Sequence, residues 1–338
     1  MISPAIINSL KNSVCAIGYF NKDPDAWYRE AQRDAQKEGG KVDLRKMPTE
    51  IVGSGFLVSD TVVLSNRHVA DVLRETGKPI NWWFMSFSVP RDGGWSERGF
   101  RMKKAMMASM QRLDTALFEF APDKQRSEGL RPVQFGSLDL ISVGRPIAMC
   151  GYLHGDALLD LSQFEIRRFG PVLHQGYISA LAPHEAAEPR EIVSFLTDIG
   201  AGGGFSGSPV FLPEDGSVIG LHFAGNEGQF GLALPVDGER VAGWLTAFEK
   251  VRADAPVMVT GSNAGDVGVI DALPPEIFQR VKDILDKARL GGGNRAEQES
   301  EAVRVLMEND PELDEPAAME FVQFVRRLSE TPSAEGAD

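Results

Sequence analysis

Residues 53–69 read GSGFLVSDTVVLSNRHV. Two short apolar, β-rich runs, parted by Ser59 and Asp60, lead into a short helical turn that begins near His68. Runs of the same kind recur from about residue 12 to residue 236: "SVCAIGYF", "NWWFMSFSV", "TALFEFA", "RPIAMCGYL", "GYISALAP", "SPVFL", "SVIGLHFAG" and "FGLALPV". Many short strands without long helices between them predict barrels or sandwiches. One stretch breaks the pattern. Residues 24–38, PDAWYREAQRDAQKE, follow Asp23 as an N-cap and predict a polar helix inserted between the first two strands, either a solvated surface insertion or a regulatory lid.

The chain has 338 residues, which predicts one large domain or two fused ones plus an appendage. Its net charge of −13 argues against nucleic acid or an anionic membrane as a partner, since either needs a basic field. Cys15 and Cys150 each lie in an apolar strand-like run, which predicts buried free thiols, and two cysteines exclude a zinc site. No other metal and no cofactor is expected. The first residues, MISPAIINSLKNSVCAIGYF, are interrupted by Asn8, Lys11 and Asn12 and lack the apolar core of a signal peptide. No run approaches the length of a membrane span, so the expected compartment is the cytoplasm.

The pattern changes after residue 250. Glycine and polar residues make 251–272 a linker. Three helical faces follow: Ile277, Phe278, Val281, Ile284 and Leu285; then Val303, Leu306 and Met307; then Met319, Val322, Val325 and Leu328. Residues 273–330 are therefore a three-helix appendage, and 331–338 a disordered tail. Residues 271–338 hold 16 acidic against 8 basic side chains, so most of the negative charge sits there. "ENDPELDEP" lacks the glycine and final glutamate of an EF-hand loop and reads as solvated helix ends.

GGGFSGSPVF, residues 202–211, sets three glycines before Ser206. A P-loop would need Lys and Ser/Thr after its last glycine, where Phe205 stands instead. A nucleophile elbow would need glycine at position 208 and a helix start at 209, occupied by Ser208 and Pro209. Two readings remain: a glycine-rich surface loop, or an oxyanion hole in which the amides of Gly204 and Ser206 converge. The second requires a histidine and a carboxylate. His68 supplies one, and Asp114, immediately before the apolar run in "RLDTALFEF", supplies the other.

"GSGFLVSDTVVLSNRHV", "LDTALFEF" and "GFSGSPV" together resemble the three signatures of the trypsin/chymotrypsin-type serine peptidases, in that family's chain order and near its spacing. "GLALPV" resembles the closing strand of bacterial HtrA-like members. The resemblance covers roughly residues 12–250 and implies a mainly β fold: two packed six-stranded antiparallel barrels in domain 1–250, about 12–125 and 126–250, with the small helical module C-terminal to them. It also implies Ser206 as nucleophile, His68 as general base, Asp114 as the group that holds the imidazole, and Gly204 and Ser206 as the oxyanion hole. Arg67 and Phe205 depart from the family pattern. Arg67 is expected to point to solvent and Phe205 to crowd the cleft.

Gly200 stands six residues before the serine, where trypsin-like members carry the acid that selects Arg or Lys, so a basic P1 residue is disfavoured. His222 stands where glutamyl endopeptidases carry a histidine that reads Glu or Gln. The resemblance places Gly200, Gly220 and His222 at the S1 wall, with residues 220–222 pairing to the substrate backbone. An imidazole offers one charge-assisted bond, so a helper hydroxyl is expected beside it. The alternative is an ordinary buried strand histidine beside a pocket for small apolar groups. Two functions follow: an active endopeptidase acting on proteins or peptides, or a silent pseudo-peptidase that binds peptides. In either, residues 273–330 are the candidate surface for a regulatory protein partner.

Overall fold

The strand-like runs close into two rings of the same topology. A computed structural model describes residues 2–37, 40–42, 47–91, 94–108, 114–121, 123, 127–152, 170–184, 188–226, 229–250, 256–260, 268–270, 280–281, 283–285, 294–309, 315, 318–319 and 322. The first ring consists of β1 (Val14–Phe20), β2 (Thr49–Leu57), β3 (Val62–Ser65), β4 (Trp83–Arg91), β5 (Gly94–Ala108) and β6 (Ala116–Phe120). The second consists of β7 (Pro146–Gly151), β8 (Val172–Ala182), β9 (Ser194–Thr197), β10 (Pro209–Phe211), β11 (Val218–Asn226) and β12 (Phe230–Pro235). In each ring the first strand pairs with the second and the fourth, and the third pairs with the sixth. Every pairing within the rings is antiparallel, and closure leaves few open sheet edges.

Three apolar clusters hold these rings. Phe87, Phe100, Phe118 and Phe120 lie in one cluster of the first barrel, and Phe195, Phe205, Ile219 and Leu212 fill the second. The remaining cluster is the seam: Val14, Ala16, Phe56, Leu64 and Leu117 from the first barrel meet Ala148, Cys150, Phe211, Leu221 and Leu234 from the second. A fully buried side chain of Phe56's size contributes about 1.5–3 kcal/mol, so the seam locks the barrels together. Two helices add to it. In α1 (Pro4–Lys11), Ser3 Oγ accepts from the Ile6 amide at 3.3 Å and Leu10 enters the seam. In the helix Gly238–Lys250, Asp237 Oδ1 accepts from the Arg240 amide at 2.8 Å, and Val241, Trp244, Leu245 and Phe248 face the seam. That helix went unread in the sequence, although its apolar spacing of three, four and seven is the amphipathic signal.

The inserted helix α2 (Pro24–Lys37) forms as expected, with Asp23 Oδ1 accepting from the amides of Asp25 and Ala26 at 2.9 and 3.1 Å. Two hydrogen bonds from Arg101 on β5 to Asp25, 2.9 and 2.7 Å, tie it to the first barrel and hold the Asp25 carboxyl below its ordinary range. α3 (Arg67–Glu75) starts beside His68 and buries Val69, Ala70 and Leu73.

Residues 251–272 are not wholly a linker. β13 (Pro256–Thr260) pairs in parallel with Ala105–Ala108 of β5, and β14 (Gly268–Ile270) pairs antiparallel with β13. β4 pairs with β5 only as far as Arg101, so the later half of this long strand keeps an edge open that β13 fills. With the Gly238–Lys250 helix counted as α4, the appendage contains α5 (Arg295–Asn309) and helical residues at 280–281, 283–285, 315, 318–319 and 322. Val281, Ile284, Leu285, Val303, Leu306 and Val322 join the same apolar cluster as the first barrel. Met307, expected on the buried face, is 38% exposed, because α5 turns Ala302 and Val305 inward beside Val303 and Leu306. Met319 packs against the same cluster, partly buried. Ile277, Phe278, Val325, Leu328 and the tail 331–338 lie outside the described residues.

Leu306→Asp places a charge in that shared cluster without a partner. The expected result is a single thermal transition of the whole chain at a lower temperature, equivalent to a loss of about 3 kcal/mol or more. An unchanged melting curve would show that the appendage does not pack on the barrel.

Candidate active site

β3 ends at Ser65, and the chain turns at Asn66 into α3, which places His68 in the helix's first turn. Asn66 occupies the N-cap position but does not cap the helix with its side chain. Its Nδ2 donates instead to the Asp114 carbonyl at 2.9 Å, fixing the turn that leads into β6. The Asp114 carboxylate is then read twice by His68: Oδ1 accepts from the His68 amide at 3.0 Å, and Oδ2 lies 2.7 Å from Nδ1 of the ring. A carboxylate only accepts, so Nδ1 carries the proton and the lone pair of Nε2 is left for a reaction partner. The His68 side chain is 44% exposed, against 15% for Asp114.

Ser206 arrives from the second barrel. Its carbonyl accepts from the Ser54 amide of β2 at 2.7 Å, and a Cβ on neighbouring Gly53 would lie 3.1 Å from that carbonyl and 2.6 Å from Val69, the residue after His68. The loop from Gly202 to Ser208 is two turns. The Phe205 amide donates to the Gly202 carbonyl at 3.4 Å and the Ser208 amide to the Phe205 carbonyl at 2.9 Å. The Gly207 amide donates to the His222 carbonyl at 2.9 Å. Among the described residues the amides of Gly204 and Ser206 donate to no one, and these are the two expected at an oxyanion hole. Gly204 and Gly207 adopt φ of +95° and +89°, in the region where glycine is favoured, and a Cβ on Gly207 would lie 1.9 Å from the Ser54 carbonyl.

The two departures from the family pattern both turn inward. Arg67 is 3% exposed rather than solvated, with Nε donating to Asp71 at 3.2 Å; burial pulls its pKa down while the Asp71 charge opposes the shift. Phe205 does not crowd the cleft. It lies fully buried in the core of the second barrel, edge-on to His174 with centroids 5.1 Å apart.

The expected S1 wall needs redrawing. Gly220 and Leu221 pair with Val210 and Pro209 of β10 on one side and with Pro235 and Leu234 of β12 on the other. Their backbones cannot take up a substrate strand, and a Cβ on Gly220 would strike the Phe195 ring at 2.5 Å. His222 is engaged too, its amide donating to the Ser208 carbonyl at 2.9 Å. β10 stops at Phe211 going one way and at Pro209 going the other, so among the described residues the unpaired edge of β11 falls at Phe223–Asn226. Gly200 is half-buried between Ile199 and Ala201 in the segment after β9.

The His222 side chain is 3% exposed, and its Nδ1 has no hydrogen-bond partner among the described residues. Burial first, and the charge of His68 second, push its pKa down to about 4. A Cβ on Gly231 would lie 3.0 Å from both His222 Cε1 and Thr197 Oγ1, so ring and hydroxyl flank the same glycine, and the hydroxyl donates to the Gly231 carbonyl at 3.4 Å. The sequence reading missed Thr197, which ends β9 and gives no sign there of what it will face. Ser208 Oγ is also buried with no partner among the described residues, turned toward Gly151 of β7, where a Cβ would lie 1.9 Å from it.

A family model for the trypsin-like peptidase domain matches residues 53–221. The chain belongs to that family. A curated relative, "Putative protease Do-like 3, mitochondrial" from Arabidopsis thaliana, is 27% identical over 177 residues, which are 52% of this chain and 26% of that protein. Only about a quarter of that relative's length is therefore matched. Among solved structures, an HtrA-type protease with a tripeptide aligns at 16% identity and a TM-score of 0.42, over 72% of this chain and 64% of its own. No helix among the described residues of the trypsin-like peptidase is long and apolar enough to cross a membrane, and no metal-binding cluster occurs among them.

The buried imidazole makes stability depend on pH. Folded His222 binds its proton only near pH 4, whereas an unfolded histidine does so near 6.5, so acid protonates the unfolded chain first. The contribution is complete above pH 6.5 and is lost as pH falls toward 4, about 3 kcal/mol in all. Denaturant titrations across that window are expected to show a shallower pH slope in His222→Gln than in the wild type; equal slopes would contradict a buried neutral imidazole.

Proposed function

We propose that this trypsin-like peptidase is an active serine endopeptidase. The observation that carries the reading is the pairing of the His68 ring with Asp114 beside a Ser206 loop that leaves the Gly204 and Ser206 amides unengaged. Ser206 Oγ attacks the scissile carbonyl while His68 Nε2 takes its proton, and Asp114 stabilises the imidazolium that forms. The two amides receive the developing oxyanion, each worth about 10²-fold or more in rate. His68 then gives the proton to the leaving amine, and water repeats the sequence on the acyl-enzyme.

The substrate lies as an added strand on the open edge at Phe223–Asn226. Its P1 side chain is Glu or Gln, read by His222 with Thr197 as the helper hydroxyl. The unpartnered Nδ1 of a neutral, buried imidazole supports this, because an unsatisfied polar atom at that depth costs about 1–3 kcal/mol unless a ligand meets it. A regulatory partner of basic character fits the outer face of α5, where Glu297, Glu301 and Glu308 are exposed. The cytoplasm suits two buried free thiols.

Mass spectrometry of products from a proteome digest tests activity and P1 together. Cleavage after Glu or Gln is expected, and His222→Ala is expected to reduce that preference about tenfold to a hundredfold, the worth of a charge-assisted bond. Cleavage after small apolar residues would sink the His222 reading alone, and absence of any product would favour a peptide-binding pseudo-peptidase. Asp114→Asn, which leaves the ring unable to hold its working tautomer, is expected to lower kcat by about 10³–10⁴ with little change in KM.

A further inference from the structure

Ser54 lies mid-strand in β2 and is completely buried, yet every polar atom it has is used at the junction of the two barrels. Its amide donates to the Ser206 carbonyl at 2.7 Å, and its own carbonyl accepts from Ser65 Oγ at 2.6 Å. Its hydroxyl donates to the Gly204 carbonyl at 2.7 Å and accepts from the Tyr152 amide, beyond the end of β7, at 2.8 Å. Accepting from an amide fixes which way the hydroxyl proton points, toward Gly204. The Gly204 carbonyl belongs to the peptide plane between the two planes that carry the Gly204 and Ser206 amides. Holding it sets the relative aim of both.

The need for such a hold is built into the loop. Gly202, Gly203 and Gly204 give this backbone more freedom than any other residue type, and Gly204 already sits at φ +95°. The peptide plane that carries the Gly204 carbonyl has this free residue on one side and Phe205, whose amide donates to the Gly202 carbonyl at only 3.4 Å, on the other, and its rotation would carry a donor away from the oxyanion. We propose that the Ser54 hydroxyl is a positioning residue that locks the Gly204 peptide and thereby preorganises the oxyanion amides, an inference that rests on the peptidase reading for its kinetic consequence. It touches no reacting atom. Its effect is expected on the transition state and not on substrate binding, since the open edge of β11 and His222 are untouched by it.

Ser54→Ala removes the hydroxyl and keeps the Ser54 backbone bond to Ser206. Ser13→Ala, which removes another buried hydroxyl, bonded to the Ser9 carbonyl at 3.1 Å and not to residues 202–208, is the matched control for general destabilisation. Two readouts are taken on the full chain. In hydrogen exchange, peptides spanning residues 202–208 are expected to exchange about tenfold faster in Ser54→Ala and at the wild-type rate in Ser13→Ala. In kinetics on a peptide substrate, kcat is expected to fall about tenfold to a hundredfold in Ser54→Ala with KM unchanged, and affinity for a peptidyl trifluoromethyl ketone, whose adduct places an oxyanion at the amides, to fall by a similar factor. Unchanged exchange, or a loss of kcat matched by Ser13→Ala, overturns the proposal. Faster exchange in a chain whose wild type turns nothing over keeps the lock and removes the peptidase reading instead.

Discussion

The 2.7 Å hydrogen bond from the Ser54 amide to the Ser206 carbonyl joins the two halves of the site across the seam between the barrels. His68 and Asp114 belong to the first barrel and Ser206 to the second, so no local conformation can bring them together. The seam of Phe56, Leu64, Cys150, Phe211 and Leu221 supplies the adhesion, and Ser54 supplies the register. The glycines around the contact are there because the backbones approach closely: a Cβ at Gly53 or Gly207 would meet Val69 or the Ser54 carbonyl well inside contact distance.

Rigidity and freedom are divided between the two sides of the cleft. On the His68 side, hydrogen bonds from the Asn66 side chain and the His68 amide both end on Asp114, beside a helix face that includes the Arg67–Asp71 pair. On the Ser206 side the loop is rich in glycine and is restrained from outside, by Ser54, by the His222 carbonyl and by Phe205 anchored in the barrel core. A phenylalanine before Ser206 is thus a peg for the loop. His222 contributes twice, through a backbone that holds Gly207 and a neutral ring whose Nδ1 has no partner among the described residues.

The two-barrel fold and the residues of the candidate site were legible because three short motifs in register carry them, and motifs are local. What the sequence hid depends on where elements end. Gly220 looked like a pocket wall until β10 and β12 were seen to pair on both of its sides, which moves the open edge to Phe223–Asn226. Strands β13 and β14 lay hidden in a stretch that resembles a linker, because their partner is the overhang of β5. Ser54 and Thr197 read as ordinary half-polar strand residues, since nothing in their local pattern says what they will face across a barrel. Arg67, a long cation in a short polar turn, was expected in solvent and is buried because α3 lays that face on the barrel.

The central claim is that Ser206 is a nucleophile activated by the His68–Asp114 pair. Reaction of the intact chain with a fluorophosphonate probe, followed by peptide mapping, tests it most directly. A single stoichiometric adduct on Ser206 that disappears in His68→Ala is the expected result. An adduct-free Ser206 in folded wild-type protein, or labelling that survives the loss of His68 at an undiminished rate, would contradict it.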